Sequence, residues 1–268
     1  MSKSETTTRP VSSADDPSGR AEPAEPLGLA FDHVSMVFED GTHALDDVTL
    51  TVKPAEFVTI VGPSGCGKST LLRIAAGLET CSTGGVSLPR ERLGYVFQDA
   101  TLLPWRTVRK NIELLAELQG VRKSRRDALV DTTIELVGLR GFEDKYPKQL
   151  SGGMRMRASL ARSLVLDPDV FLFDEPFGAL DEITRERLNA ELLRLFQHEE
   201  FASLFITHSI AEAVFLSTRV VVMSPRPGRI VSEFEVPFGY PRTHDLRYEA
   251  DFAALCGEVS HALRGSLR

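Results

Sequence analysis

The 268-residue chain is 42% hydrophobic and 26% charged, and 31 basic against 38 acidic residues leave a net charge of -7. This composition excludes wholesale disorder and a fibrous architecture, and the charge has the wrong sign for a protein that coats itself with nucleic acid. Cys66, Cys81 and Cys256 lack metal-ligand spacing and point to a reducing, cytosolic compartment; no apolar stretch reaches the roughly 18 to 20 residues of a bilayer span, so any membrane role is expected to run through a partner.

Residues 1–27 are rich in Ser, Thr, Pro and charge, with little to bury, and read as a disordered arm. From Leu29 the runs LAFDHVSMVF and ALDDVTLTV, broken by DGTH, predict an antiparallel strand pair. FVTIVG predicts a buried strand, and STLLRIAAGL has helical spacing that ends near Gly77. Residues 99–165 become mostly helical, with TVRKNIELLAELQG, SRRDALVDTTIELVGL and a helix opening at SGGM, and read as an inserted helical subdomain. DVFLFDE, EITRERLNAELLRLFQ, SLFIT, SIAEAVFLS and RVVVMS then alternate strand and helix, which implies a parallel sheet. In the tail Phe252, Leu255, Val259 and Leu263 share one helical face, so a short docking helix is expected.

Between FVTIVG and its helix stands GPSGCGKST: Gly62, Pro63, Ser64, Gly65, Cys66, Gly67, Lys68, Ser69 and Thr70. The pattern G-x-x-x-x-G-K-S in a strand-to-helix context makes this run a phosphate cradle, in which bare backbone lets amides close around a β-phosphate at a helix N-terminus. Lys68 is expected to neutralise β/γ charge, Ser69 to ligate Mg²⁺, and Cys66 to pack within the loop. VFLFDE places Asp174 and Glu175 at the carboxyl edge of the same sheet. Pointing to opposite sides of the strand, Asp174 is expected to reach the Mg²⁺ shell and Glu175 to polarise an attacking water.

LSGGM, residues 150–154, supplies a second glycine-rich helix start, more than one nucleotide needs from one chain. With it the chain resembles the ATP-binding subunits of ABC transporters. Gln98 in YVFQD, Gly178 to Asp181 in GALD and His208 in FITHS fall in that family's order, and Phe38 stands where a family aromatic stacks on adenine. The resemblance, which covers residues 29 to about 232, implies an α/β P-loop NTPase fold with a mostly parallel core sheet, an N-terminal antiparallel β-subdomain and an inserted α-helical subdomain. It places the ATPase domain at 28–232 and leaves 233–268 as a C-terminal tail.

It also implies a homodimer packed head to tail around two MgATP. In that arrangement Ser151, Gly152 and Gly153 close on the partner's nucleotide, Asp181 shapes the opposite site, Gln98 senses Mg²⁺ and water, and His208 holds the γ-phosphate. Met154 and Met156 depart from the commonest signature, which leaves the contacts of that helix and the rate of hydrolysis open. LLPWRTVRKNIELL, LSGGMR, DEPFGALD and MSPRPGRI resemble the nitrate/sulfonate/taurine importer group. That likeness implies separate permease chains, a solute-binding protein, a position on the cytoplasmic face of the membrane, and Trp105 near the permease's coupling helix; no nucleic acid is expected. A small-molecule kinase would not need LSGGM, and a chromosome-structure ATPase would need a coiled coil for which no room exists between Lys68 and Asp174. A translation-associated ATPase usually carries two cassettes where this chain has one. A non-transport ABC-type ATPase and a regulatory module that binds without hydrolysing remain the alternatives.

Overall fold

The computed structural model describes residues 28–89 and 92–267, so the expected N-terminal arm lies outside the described residues. Two sheets organise them. β1 (Leu29–Val37), β2 (His43–Val52) and β4 (Thr83–Ser87) form an antiparallel sheet in the order β2-β1-β4. β3 (Phe57–Val61), β5 (Leu93–Val96), β6 (Val170–Asp174), β7 (Ala202–Ile206), β8 (Arg219–Met223) and β9 (Ile230–Glu235) form the main sheet in the order β5-β6-β7-β3-β8-β9. All its pairings are parallel except β8 with β9.

Strand alternation divides the core across this sheet. Phe57, Phe171, Phe173 and Phe205 face the helical side, while Val58, Ile60, Leu172 and Leu204 face α1 (Lys68–Ala75) and the antiparallel sheet. Both faces are covered, which is why FVTIV, VFLFD and ASLFI read as unbroken apolar runs rather than alternating ones. The aromatic face packs ring on ring, Phe171 to Phe173 at 5.3 Å and Phe173 to Phe205 at 5.5 Å between centroids.

Between β5 and β6 run α2 (Val108–Ile112), α3 (Leu114–Leu118), α4 (Lys123–Leu136) and α5 (Gly152–Leu164). Residues 108–118, expected as one helix, form two short ones that meet at Glu113, although Glu113 itself keeps a helical φ of -68°. α6 (Glu182–Glu199) and α7 (Ile210–Leu216) cover the aromatic face, joined by α8 (Ala250–Gly265). Phe252 and Val259 of α8 are buried there. Ahead of α8, Arg242 donates to the carbonyls of Val214 and Phe215 at 3.1 and 2.8 Å, satisfying the open end of α7.

β4 and β9 were not legible as strands. β4 is TGGVS, whose two glycines carry no strand signal, and β9 is a half-buried edge that runs antiparallel to its neighbour. β9 also spans residue 232, the expected end of the ATPase domain, because its pairing with β8 completes the sheet.

Candidate functional site

The loop after β3 owes its shape to glycine. Gly65 and Gly67 have φ of 73° and 109°, a region that disfavours side chains, and a Cβ on Gly67 would lie 2.6 Å from the Ala44 carbonyl oxygen. The chain thereby turns into α1 at Lys68 with its first amides open. Lys68 Nζ donates back to the carbonyls of Gly62 at 2.9 Å and Pro63 at 3.0 Å, so its ammonium is held over the loop. Cys66 is buried, with its Sγ 3.8 Å from that ammonium.

Ser69 Oγ donates to Asp174 Oδ1 at 2.8 Å, joining the start of α1 to the end of β6. Burial pushes the Asp174 carboxyl above its ordinary range, and the Ser69 hydrogen bond acts against that rise. Two hard oxygens at a helix N-terminus fit Mg²⁺, which keeps several waters and takes one or two protein oxygens together with substrate phosphates.

Strand alternation, expected to separate Glu175 from Asp174, does not reach Glu175. β6 ends at Asp174, and Glu175 turns out of the strand with φ 45°. Its Oε2 lies 3.1 Å from Nδ1 of His208, which follows β7. A cavity of about 320 Å³ opens here, within the size range of small-ligand sites, and Phe38, Ser64, Gly65, Gly67, Lys68, Ser69, Thr70, Gln98 and Glu175 line it.

Ser151, Gly152, Gly153 and Asp181 do not line that cavity. They lie together elsewhere on the same chain: Ser151 Oγ accepts from the Met154 amide and caps α5, and Asp181 Oδ1 accepts from the Thr184 amide and caps α6. That backbone donor holds Asp181 below the usual carboxylate range. The two helix starts touch, since a Cβ on Gly153 would lie 2.9 Å from Thr184 Cγ2 and one on Gly152 would lie 3.3 Å from Leu180 Cδ2. The phosphate loop and the SGG helix start thus stand apart on one chain.

Residues 45–178 match the family description "ABC transporter". An ABC transporter ATP-binding protein of Methanocaldococcus jannaschii is 47% identical over 224 residues, 80% of this chain and 84% of the relative. This chain belongs to the ABC transporter family. Its fold is the family's ATPase cassette, and membership makes it an ATP-hydrolysing enzyme. The taurine import ATP-binding protein of Roseobacter denitrificans is 43% identical over 84% of this chain and 86% of its own. A solved dimeric ATP-binding cassette in a post-hydrolysis state, with ADP and phosphate bound, superposes with TM-score 0.70 at 28% identity over 79% of this chain and 100% of that one.

Two features carry no motif of their own in the sequence. Arg226, from the turn between β8 and β9 within the run MSPRPGRI, also lines the cavity. Glu212, in the first turn of α7, is buried beside the His208 loop, and burial pushes its carboxyl upward. The two departures in the signature are both apolar contacts: Met156 is buried and Met154 half-buried against the core.

Proposed function

We propose that this cassette is the motor subunit of an importer, pairing head to tail with a second copy so that each bound ATP lies between the loop of one protomer and the SGG helix start of the other. The observation that carries this reading is the separation of the phosphate loop from the SGG helix start within one chain. A triphosphate gripped from both sides pulls two protomers together, and its cleavage releases them. The presence of Lys68, Ser69, Asp174, Glu175 and His208 together favours hydrolysis over a regulatory module that only binds.

In this reading Lys68 leaves the Gly62 and Pro63 carbonyls for the β- and γ-phosphates, while the loop amides hold the β-phosphate. Phe38 stacks on the adenine. Glu175 accepts a hydrogen bond from the attacking water, and His208 keeps that carboxylate in place. Ser69, Asp174 and Gln98 would hold Mg²⁺, which would supply positive charge against the phosphates. Ser151 and Gly153 of the partner close over the γ-phosphate, and Asp181 shapes the neighbouring site.

The exposed Trp105, between β5 and α2, is the surface assigned to the permease. Among the described residues no helix is long and apolar enough to cross a membrane. The import names of this chain's relatives support placing the cassette at the cytoplasmic face through a separate permease, with a solute-binding protein beyond it. Relatives 42–43% identical carry names for import of taurine, aliphatic sulfonates and nitrate, and we assign the solute to that group of small anionic or zwitterionic compounds. Deletion of the chain's gene should abolish uptake of at least one of these solutes. The wild-type chain should restore uptake and Glu175→Gln should not; unchanged uptake of all three after deletion would contradict the assignment.

A further inference from the structure

The turn between β8 and β9, Ser224 to Arg229, is pressed onto the phosphate loop. Gly228 N–H donates to the Ala44 carbonyl at 2.9 Å, the Gly228 carbonyl accepts from the Asp46 amide at 3.1 Å, and Arg229 pairs with the Asp46 carboxylate. Gly228 is required there, because a Cβ would lie 2.2 Å from the Cys66 carbonyl oxygen. From this fixed turn Arg226 reaches over the loop, where its Nε donates to the Gly65 carbonyl at 3.0 Å. That is its one protein hydrogen bond among the described residues, and it leaves both terminal nitrogens of the guanidinium available.

Arg226 lines the same cavity as Lys68, Ser69 and Phe38. It also lies near enough to Asp40, two residues beyond Phe38, for its charge to help hold that carboxyl down, after the larger effect of the Thr42 hydrogen bonds. It therefore stands between the strand end that carries Phe38 and the loop that cradles phosphate. The charged side chains on the cavity wall are Lys68, Arg226 and Glu175, so Arg226 is what tips this wall toward an anion.

We propose that Arg226 is a nucleotide-binding residue of this cassette, its terminal nitrogens donating to the phosphate chain of ATP while its Nε stays on Gly65. The proposal rests on the reading of the cavity as the ATP site. A guanidinium suits this task because its planar fork bonds phosphate oxygens in pairs, and Nε anchored on the loop carries the fork without further ordering cost.

The test is calorimetric titration of the full chain with ATP and Mg²⁺, for wild type, Arg226→Ala, Arg226→Lys and Lys68→Ala, beside melting curves without nucleotide. Arg226→Ala should weaken ATP binding about tenfold, a loss of about 1.4 kcal/mol. Arg226→Lys should keep part of the affinity, raised salt should narrow the gap between wild type and Arg226→Ala, and the nucleotide-free Tm should not move. Wild-type affinity in Arg226→Ala with binding lost in Lys68→Ala would overturn the role of Arg226 and leave the ATP site standing. A fall in the nucleotide-free Tm of Arg226→Ala that Arg226→Lys does not repair would reduce Arg226 to a brace on the loop and overturn the proposal as well. Wild-type affinity in Lys68→Ala would overturn the cavity reading and this proposal with it.

Discussion

His208 Nδ1 lies 3.1 Å from Glu175 Oε2, across the ends of two neighbouring parallel strands, β7 and β6. The pair holds a carboxylate that has left its strand at φ 45°, a backbone position that carries strain and is kept where function needs it. Glu175→Gln should leave ATP affinity within about twofold and lower turnover by about 10²-fold or more, in the range expected for a lost general base. Phosphate release beside a binding titration checks both halves, and His208→Ala should show the same split.

The hydrogen bond from Ser69 to Asp174 makes a second prediction. Wild-type affinity for ATP should rise when Mg²⁺ is supplied and fall when it is chelated. Ser69→Ala removes one oxygen of the pair, so its affinity should respond little to Mg²⁺ while binding without the metal stays near wild type. An unchanged Mg²⁺ response would take Ser69 out of the metal shell.

Ser151 serves its own chain as the cap of α5 before any partner arrives. Ser151→Ala should therefore cost about 1 kcal/mol of stability, seen as a Tm lower by about 2–4 °C in a chain of this size. Its loss of turnover should be far larger than so small a destabilisation explains. Ser151→Asp keeps a capping oxygen and should restore Tm while placing a negative charge against the γ-phosphate, so turnover should stay low. Recovery of turnover together with Tm would leave only the capping role.

Burial raises the Glu212 carboxyl above its ordinary 4.5. The folded protein thus holds this proton more tightly than the unfolded chain, and the stability that the group contributes is present below pH 4.5 and is lost as pH rises through its folded-state value. Glu212→Gln keeps size and hydrogen bonding without the charge. Its Tm should fall less than that of wild type from pH 4.5 upward and exceed it at neutral pH; parallel Tm curves would show that the carboxyl does not titrate in this range.

The sequence announced the motifs and most of the parallel sheet because both rest on local chemistry. GPSGCGKST must have bare backbone where Gly67 meets the Ala44 carbonyl, and VFLFD must be wholly apolar because two layers bury it. Signals that depend on distant partners were silent. β9 is a strand because β8 offers it an edge, and Arg226 reaches the cavity only because Gly228 lets the turn sit on Cys66. Glu175 followed a local rule until the strand ended one residue earlier than strand alternation required.

The central claim is that a competent site takes its loop from one protomer and its SGG helix start from another. Mixing Lys68→Ala with Ser151→Arg, each inactive alone, tests it directly, because a mixed dimer then pairs one intact loop with one intact SGG surface. The account predicts that ATP hydrolysis appears on mixing, at a rate above the sum of the two separate variants. A mixture no more active than that sum would contradict it.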